Sequence, residues 1–226
     1  MSSSAVWQMK MRRIVPGDID YPDMLADRMG ANAPPAIYAM GDLGVLRHQR
    51  LGLICSVRCP GSIVIKTYDA IRELRDIGMI VAGGFHSPME HECLDILLRG
   101  SQPVILCPAK GLDGQPVGQE CRRAVKEGRL LVLSAFGSEV KRTTAARAVI
   151  RNEFVAALSD VVLIPHASPG GKTEALARRA IKQGRPLFTF ADEENAALIG
   201  LGARSLESHQ IAHALDMAAQ PRDRRR

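Results

Sequence analysis

The segment 160–174, DVVLIPHASPGGKTE, decides the fold that we expect for this chain. It opens with a short, continuously apolar run that ends at Pro165, and it then places Gly170 and Gly171 directly before a helical pattern over 172–183. Continuously apolar strands are typical of a sheet buried on both faces, and a strand that leads at once into a helix is typical of a parallel sheet. The segment therefore predicts one strand–helix unit of a parallel sheet.

The same alternation of strands and helices extends outward from this segment over most of the chain. The six predicted strands are 51–56, 79–82, 103–107, 130–134, 160–165 and 186–190. The predicted helices between and after them are 63–77, 88–99, 117–127, 143–158, 172–183, 193–200 and 206–219. With right-handed crossovers, this pattern predicts an α/β fold, a doubly wound, mostly parallel Rossmann-like sheet with helices on both faces.

The two ends of the chain differ from this regular region. Residues 1–45 contain four prolines, which break any long element, so we expect an irregular N-terminal extension that packs on the core. The Rossmann-like domain is expected to cover 46–206. Residues 207–226 are expected to form a C-terminal helix and a basic tail, because the last five residues hold four arginines and one aspartate.

Composition limits the classes of function. The chain has 226 residues, of which 46% are hydrophobic and 24% charged, as in an ordinary globular protein. No apolar run approaches the roughly 20 residues of a membrane helix, and the first residues lack the pattern of a secretory signal, so no membrane partner is expected. Five cysteines, an odd number, in a chain of this size favour a reduced, cytoplasmic location.

Charge gives only a weak indication of a partner. The formal net charge is +6, and the basic tail supplies half of it. The remaining excess suits an anionic partner, but it also suits a surface that is merely well hydrated. Aromatic residues are only 4% of the chain, which leaves few rings to stack on nucleobases. Any binding of a nucleic acid is therefore expected to be mainly electrostatic.

Ligands of doubly wound sheets bind outside the carboxyl ends of the strands, which singles out the loops there. After the first predicted strand, Ser56 lets the backbone approach an anion, and Arg58 offers a planar set of donors. After the second strand, Gly83 and Gly84 permit close approach of a ligand at a helix N-terminus. Phe85 beside them either stacks on a base or covers the core, and we expect stacking.

The loop after the fifth predicted strand is the sharpest local signal. Gly170 and Gly171 precede a helix, so free N–H groups and the positive end of the helix dipole are expected to meet there, and Lys172 and Thr173 add a charge and a hydroxyl. The loop is similar to a Walker A sequence, but His166 stands where its first glycine belongs, so we expect no ATP hydrolysis. The alternative is an ordinary helix-capping loop.

Two polar residues lie inside the helix that precedes this strand. Asn152 is a poor mid-helix residue, so a position facing the ligand cleft, beside Arg151, explains it about as well as exposure does. No catalytic residue is assigned, since the chain lacks a G-x-S-x-G elbow. Cys55 and Cys59 stand four apart without a second pair at zinc spacing, so we expect no metal and no cofactor.

Seven short motifs, in order, resemble the DprA/Smf family of DNA-processing proteins. They are DIDYPDML at 18–25, PPAIYAMGD at 34–42, SVR at 56–58, GGF at 83–85, GLD at 111–113, RN at 151–152 with AALSD at 156–160, and SPGGKTEA at 168–175 with GRPLF at 184–188. The resemblance implies a Rossmann-like domain of the SLOG type that binds single-stranded DNA, forms a homodimer and helps load RecA during DNA recombination and transformation.

The chain departs from that family at several motif positions. SPME at 87–90 replaces a Gly-Ile-Asp motif, Glu153 stands where a second arginine belongs, and Cys55 replaces the glycine of Gly-Ser-Arg. These departures indicate a short, divergent branch. The residues that the resemblance and the loops together nominate for binding DNA or phosphate are Ser56, Arg58, Gly83, Gly84, Phe85, Arg151, Asn152, Gly170, Gly171, Lys172 and Thr173.

Two other functions remain open at this point. Pro169, Gly170 and Gly171 followed by Glu174 resemble the signature of LOG-type nucleotide phosphoribohydrolases, but the third glycine of that signature is missing and Glu174 comes too early. A nucleotide-sensing SLOG protein would use nearly the same loops without binding DNA. The sequence therefore favours a DNA-binding protein over an enzyme and does not distinguish DNA from a free nucleotide.

Overall fold

A computed structural model describes residues 11–112, 118–207 and 211. Within these ranges the chain forms a nine-stranded sheet flanked by helices. The strands are β1 (Arg12–Ile14), β2 (Ile37–Met40), β3 (Arg50–Leu53), β4 (Ile80–Gly83), β5 (Val104–Leu106), β6 (Leu130–Ser134), β7 (Val161–Leu163), β8 (Leu187–Phe190) and β9 (Arg204–Leu206). The α-helices are α1 (Met24–Met29), α2 (Gly61–Asp76), α3 (Pro88–Leu98), α4 (Gln119–Lys126), α5 (Ala145–Leu158), α6 (Lys172–Lys182) and α7 (Ala196–Gly200).

The sheet is doubly wound, as predicted. Its strand order is β1-β2-β6-β5-β4-β3-β7-β8-β9, and β3 to β9 are all parallel. The chain moves outward from β3 to β6 and then returns to place β7 on the other side of β3, where Leu51 pairs with Val161. The point where the strand order reverses therefore lies between β3 and β7, which is where this fold class binds ligands.

The sheet separates two hydrophobic cores, because successive side chains of each strand point to opposite faces. Leu131 and Leu133 of β6 join the core under α1, α5 and α6, while Leu130 and Val132 join the core under α2, α3 and α4. Helices thus cover both faces, which explains why β4, β5 and β7 are apolar throughout and β3 is apolar after Arg50. Among the helices that the structure describes, none combines the length and hydropathy that a bilayer-spanning segment needs.

The N-terminal region is more regular than its prolines suggested. β1 and β2 extend the sheet antiparallel to β6, and α1 packs on α5. Ile14, Leu25 and Ile37 are buried there. For residues 11–45 the expectation of an irregular segment is wrong, because proline limits the length of an element without preventing short strands such as β1 and β2.

The remaining elements lie close to their predicted bounds. α3 begins at Pro88 and α5 is capped by Thr144, whose Oγ1 accepts a hydrogen bond of 3.2 Å from the N–H of Arg147. The edge strand β9 was not predicted. The C-terminal helix and basic tail expected over 207–226 lie outside the described residues, apart from residues 207 and 211.

Candidate nucleic-acid interface

Hydrogen bonds join the loops that follow β3 and β7. The N–H of Ile54 donates to the carbonyl oxygen of Leu163 at 3.1 Å, and the N–H of Ser56 donates to the carbonyl oxygen of His166 at 3.1 Å. The Ser56 Oγ then accepts from the N–H of Ser168 at 3.0 Å. The expectation that the Ser56 amide faces an anion is therefore wrong, because this residue ties the two loops together.

A cavity of about 590 Å³ lies beside this joint. Its walls come from the loop after β3 (55–58), the N-terminal turn of α3 (86–90), the first half of α5 with the residues before it (143–152) and the loop before α6 (168–173). Of the predicted site residues, those that line the cavity are Ser56, Arg58, Arg151, Asn152, Gly171, Lys172 and Thr173. Gly83, Gly84, Phe85 and Gly170 are not among its lining residues.

Phe85 belongs to the core. Its side chain is only 2% exposed, and its ring covers Gly83, where an added Cβ would lie 3.0 Å from the Phe85 Cζ. The backbone at Phe85 has a φ of 44°, which is uncommon for a bulky residue and turns the ring inward. The prediction that Phe85 stacks on a base is therefore wrong, because the ring is inaccessible.

Gly84 acts by leaving space for Arg151. A Cβ added at Gly84 would lie 1.2 Å from the Arg151 Nη1, so the guanidinium group occupies the space that any other residue would fill. Arg151 is 5% exposed, and its Nη1 donates to the carbonyl oxygen of Cys107 at 3.2 Å, while its Nε has no partner among the described residues. Burial lowers the pKa of Arg151, and the nearby carboxylate of Glu90 opposes that shift.

The two glycine amides before α6 are already in use. The N–H of Gly170 donates to the Glu174 Oε2 at 2.9 Å, and the N–H of Gly171 donates to the carbonyl oxygen of Ser168 at 2.9 Å. The expectation that these two amides bind an anion is wrong. No described side chain caps α6, however, so its first turn keeps donors of its own next to Lys172 and Thr173.

Glu90, which lines the cavity, and Glu174, which lies just outside its lining, both accept hydrogen bonds at the N-terminal ends of helices. Glu90 lines the cavity, and its Oε2 accepts from the N–H groups of His86 at 3.1 Å and Ser87 at 3.0 Å. Glu174 pairs with Arg178 at 2.8 Å, and its pKa is lowered by the hydrogen bond from Gly170 and by this pair. Glu174 is absent from the cavity lining, so the acid of a phosphoribohydrolase is not provided at this position.

Basic side chains surround the mouth of the cavity. Arg58 and Lys172 are exposed in its lining, and Lys141 and Arg142 are exposed directly before the lining residue Thr143. Within the described ranges, none of these four side chains forms an ion pair. Their charges are therefore available to an anionic ligand.

Apart from Asn152, the residues of one cavity wall were not predicted from the sequence. Ala145, Ala148, Val149 and Asn152 of α5 line it, at spacings of three and four residues that place them on one face of the helix. Val57, which is 74% exposed, faces the same space. The helical periodicity around Asn152 was the signal that could have found this wall.

Solved structures with this fold include two DNA processing proteins. DNA processing protein A from Streptococcus pneumoniae is 21% identical, with a TM-score of 0.73 over 89% of this chain and 72% of that chain. The Helicobacter pylori protein is 21% identical, with a TM-score of 0.73 over 93% of this chain and 97% of that chain, and its structure is described for a single-stranded DNA binding mode. The molybdenum cofactor carrier protein from Chlamydomonas reinhardtii is 13% identical, with a TM-score of 0.52 over 76% and 98% of the two chains.

At these identities, the solved structures establish the fold, and the family follows from the sequence itself. No curated protein sequence matches the chain significantly. Residues 12–220, nearly the whole chain and including every residue that lines the cavity, match the family of DNA recombination-mediator protein A. This match confirms the resemblance that the seven motifs indicated, and the chain belongs to the DNA recombination-mediator protein A family.

Proposed function

We propose that this chain is a recombination mediator that binds single-stranded DNA in the cavity beside β3 and β7, with little preference for base sequence. One observation carries the proposal. Arg58 and Lys172, which form no ion pair with any described residue, lie with the buried Arg151 and the N-terminus of α6 around a single cavity. Three cations and a helix N-terminus around one space suit the phosphates of a polynucleotide.

The lining residues suit different parts of a DNA strand. Arg58 and Lys172 contact phosphates at the mouth, and Arg151, which lines the cavity but is only 5% exposed, adds positive charge behind them. Asn152 and Thr173 offer hydrogen bonds to a sugar or a base edge. Val57 and the apolar wall of α5 cover one face of a base, in place of the aromatic platform that Phe85 does not supply.

Oligonucleotide titration at several salt concentrations tests the proposal. We expect Arg58→Ala and Lys172→Ala each to weaken binding about tenfold, because each removes a charge-assisted contact. Each should also reduce the slope of log affinity against log salt by about 0.7, the contribution of one phosphate contact on a single strand. The matched control is Arg72→Ala, which removes an equal charge from α2, far from the cavity lining, where Arg72 pairs with Asp69.

Equal losses in Arg72→Ala and Arg58→Ala would contradict a localised site. A mononucleotide that competes as well as a long oligonucleotide would instead favour the nucleotide-sensing alternative, because a polyanion gains affinity from contacts beyond one nucleotide. Release of a free base from nucleoside monophosphates would favour the enzyme alternative. We expect no release, because both carboxylates near the cavity are held by helix N-termini.

We also propose, from the family, that the protein acts as a homodimer in the cytoplasm and helps load RecA onto the bound strand during recombination and transformation. The five free cysteines support a reduced compartment. Light scattering measures the subunit number, and RecA assembly on oligonucleotides covered by a single-strand-binding protein measures loading. A monomer at all concentrations, or an unchanged RecA assembly rate, would contradict these two parts.

A further inference from the structure

Two cysteines flank the loop that carries Arg58. Cys55 follows β3, is 7% exposed and lines the cavity, while Cys59 is half-buried and packs against the same core cluster as Cys55. The Cys55 Sγ lies 3.5 Å from the carbonyl oxygen of His166, and interaction with the Cys59 side chain is the largest cause that raises the pKa of Cys55. The two thiols are therefore adjacent in space as well as close in sequence.

The surroundings of Cys59 favour its thiolate. Cys59 lies just before Pro60, the N-cap of the long helix α2, and in the part of the chain that the structure describes no side chain caps that helix. The positive end of the helix dipole stabilises a nearby thiolate. The hydrogen bond from Cys55 is the largest cause that lowers the pKa of Cys59, although partial burial opposes it.

The other three cysteines lie in environments that disfavour a thiolate. Burial raises the pKa of Cys93 well above its usual range and that of Cys107 to about 12. Burial likewise raises the pKa of Cys121, which lies half-buried on α4. Cys59 is thus the cysteine, among those described, that combines access with thiolate character, and Cys55 is placed to react with it.

We propose that Cys55 and Cys59 form a reversible disulfide that switches off DNA binding under oxidising conditions. With a peroxide as the oxidant, the Cys59 thiolate attacks one peroxide oxygen, an S–O bond forms, the O–O bond breaks and hydroxide leaves. The Cys55 thiol then attacks the Cys59 sulfur, so that the S–S bond forms and the S–O bond breaks. The leaving oxygen takes the Cys55 proton and departs as water, and two thiols have been oxidised for one peroxide reduced.

The disulfide would act on binding through the residues that it encloses. Closing the ring between 55 and 59 draws Cys59 toward β3, so Arg58 loses its position and Ser56 its hydrogen bonds to the loop after β7. This regulatory part rests on the proposed DNA-binding function, whereas formation of the disulfide does not. We expect oxidation to weaken oligonucleotide binding about tenfold, as much as loss of the Arg58 contact does.

The experiment treats the protein with hydrogen peroxide and then measures two quantities separately. Mass spectrometry of proteolytic peptides should find Cys55 and Cys59 linked with the loss of two hydrogens, and oligonucleotide titration should show the tenfold loss, reversed by dithiothreitol. Cys59→Ser should bind normally and resist peroxide. Cys121→Ser, a change at the other half-buried cysteine, should respond like the unmodified protein.

Each result supports or overturns a defined part. Peroxide treatment that gives only sulfinic acid, a bond between chains or no change in mass would overturn the disulfide. A linked pair with unchanged oligonucleotide affinity would overturn the switch. If the reduced protein fails to bind oligonucleotides while the linked peptide still forms, the proposed function fails and the disulfide stands.

Discussion

Two loops of this protein share one sequence feature and differ in structure: a glycine pair before α3 and a glycine pair before α6. Before α3, Ser87 and Glu90 form a capping box, in which the Ser87 Oγ accepts from the N–H of Glu90 at 3.2 Å. Pro88, the first residue of α3, has no N–H. The N-terminus of α3 therefore has few donors left for a ligand.

The N-terminus of α6 is built from the same parts without the cap. Glu174 stands at the same helix position as Glu90 and likewise reaches back to an N–H, that of Gly170. Gly171 stands where α3 has Ser87, and Lys172 stands where α3 has Pro88. The comparison shows that glycine pairs alone do not make an anion site, because the side chains at the N-cap and first helical position decide how many donors stay free.

The largest expected effect on stability comes from removing the Glu90 side chain from the capping box of α3. Glu90→Ala leaves the N–H groups of His86 and Ser87 without their acceptor and removes the charge that faces Arg151. We therefore expect the free energy of unfolding to fall by about 2–3 kcal/mol. Urea denaturation measures this change.

The matched control is Glu174→Ala, at the same position of α6. Its partners are Gly170 and the exposed Arg178, so we expect a much smaller loss of unfolding free energy than in Glu90→Ala. Equal losses in the two variants would show that Glu90 and the partly exposed Glu174 contribute equally to stability. Glu90→Gln keeps the acceptor, and it should tighten oligonucleotide binding severalfold because a negative charge leaves the cavity wall.

The second effect concerns the space at Gly84. Gly84→Ala places a Cβ on the Arg151 guanidinium, which must move from its buried position, so we expect a loss of about 2 kcal/mol in unfolding free energy together with weaker oligonucleotide binding. Thermal and urea unfolding measure the first, and titration the second. Gly200→Ala, where a Cβ meets nothing within 4 Å, should leave both unchanged or slightly raise stability.

The smallest effect tests the open end of α6. Thr173 is buried at the cavity wall, and Thr173→Val replaces its hydroxyl by a methyl group of similar size. We expect oligonucleotide binding to weaken about threefold, the contribution of one neutral hydrogen bond, with unfolding free energy unchanged within about 0.5 kcal/mol. A loss of stability without a loss of affinity would show that the Thr173 hydroxyl stabilises the fold and does not contact the oligonucleotide.

The capped N-terminus of α3 was predictable from the sequence. Ser87-Pro-Met-Glu90 has the spacing of a capping box, so the closed state of α3 was predictable from four residues. The fate of Phe85 was not predictable, because the positive φ that turns its ring onto Gly83 depends on packing against the core under α2 and α3. The short strands β1, β2 and β9 were missed because they form by pairing with distant strands.

The sequence by itself determined the doubly wound sheet and the loops at which we propose that a ligand binds. Apolar runs alternating with helical patterns specify parallel strands, and parallel strands bring their carboxyl ends to one edge. Only the tertiary structure decided which residues of those loops stay available. Ser56 bonds to a loop more than a hundred residues away, and Arg151 fills the space over Gly84 and reaches Cys107. Such contacts depend on how distant segments pack, and the local periodicity of the sequence does not predict that packing.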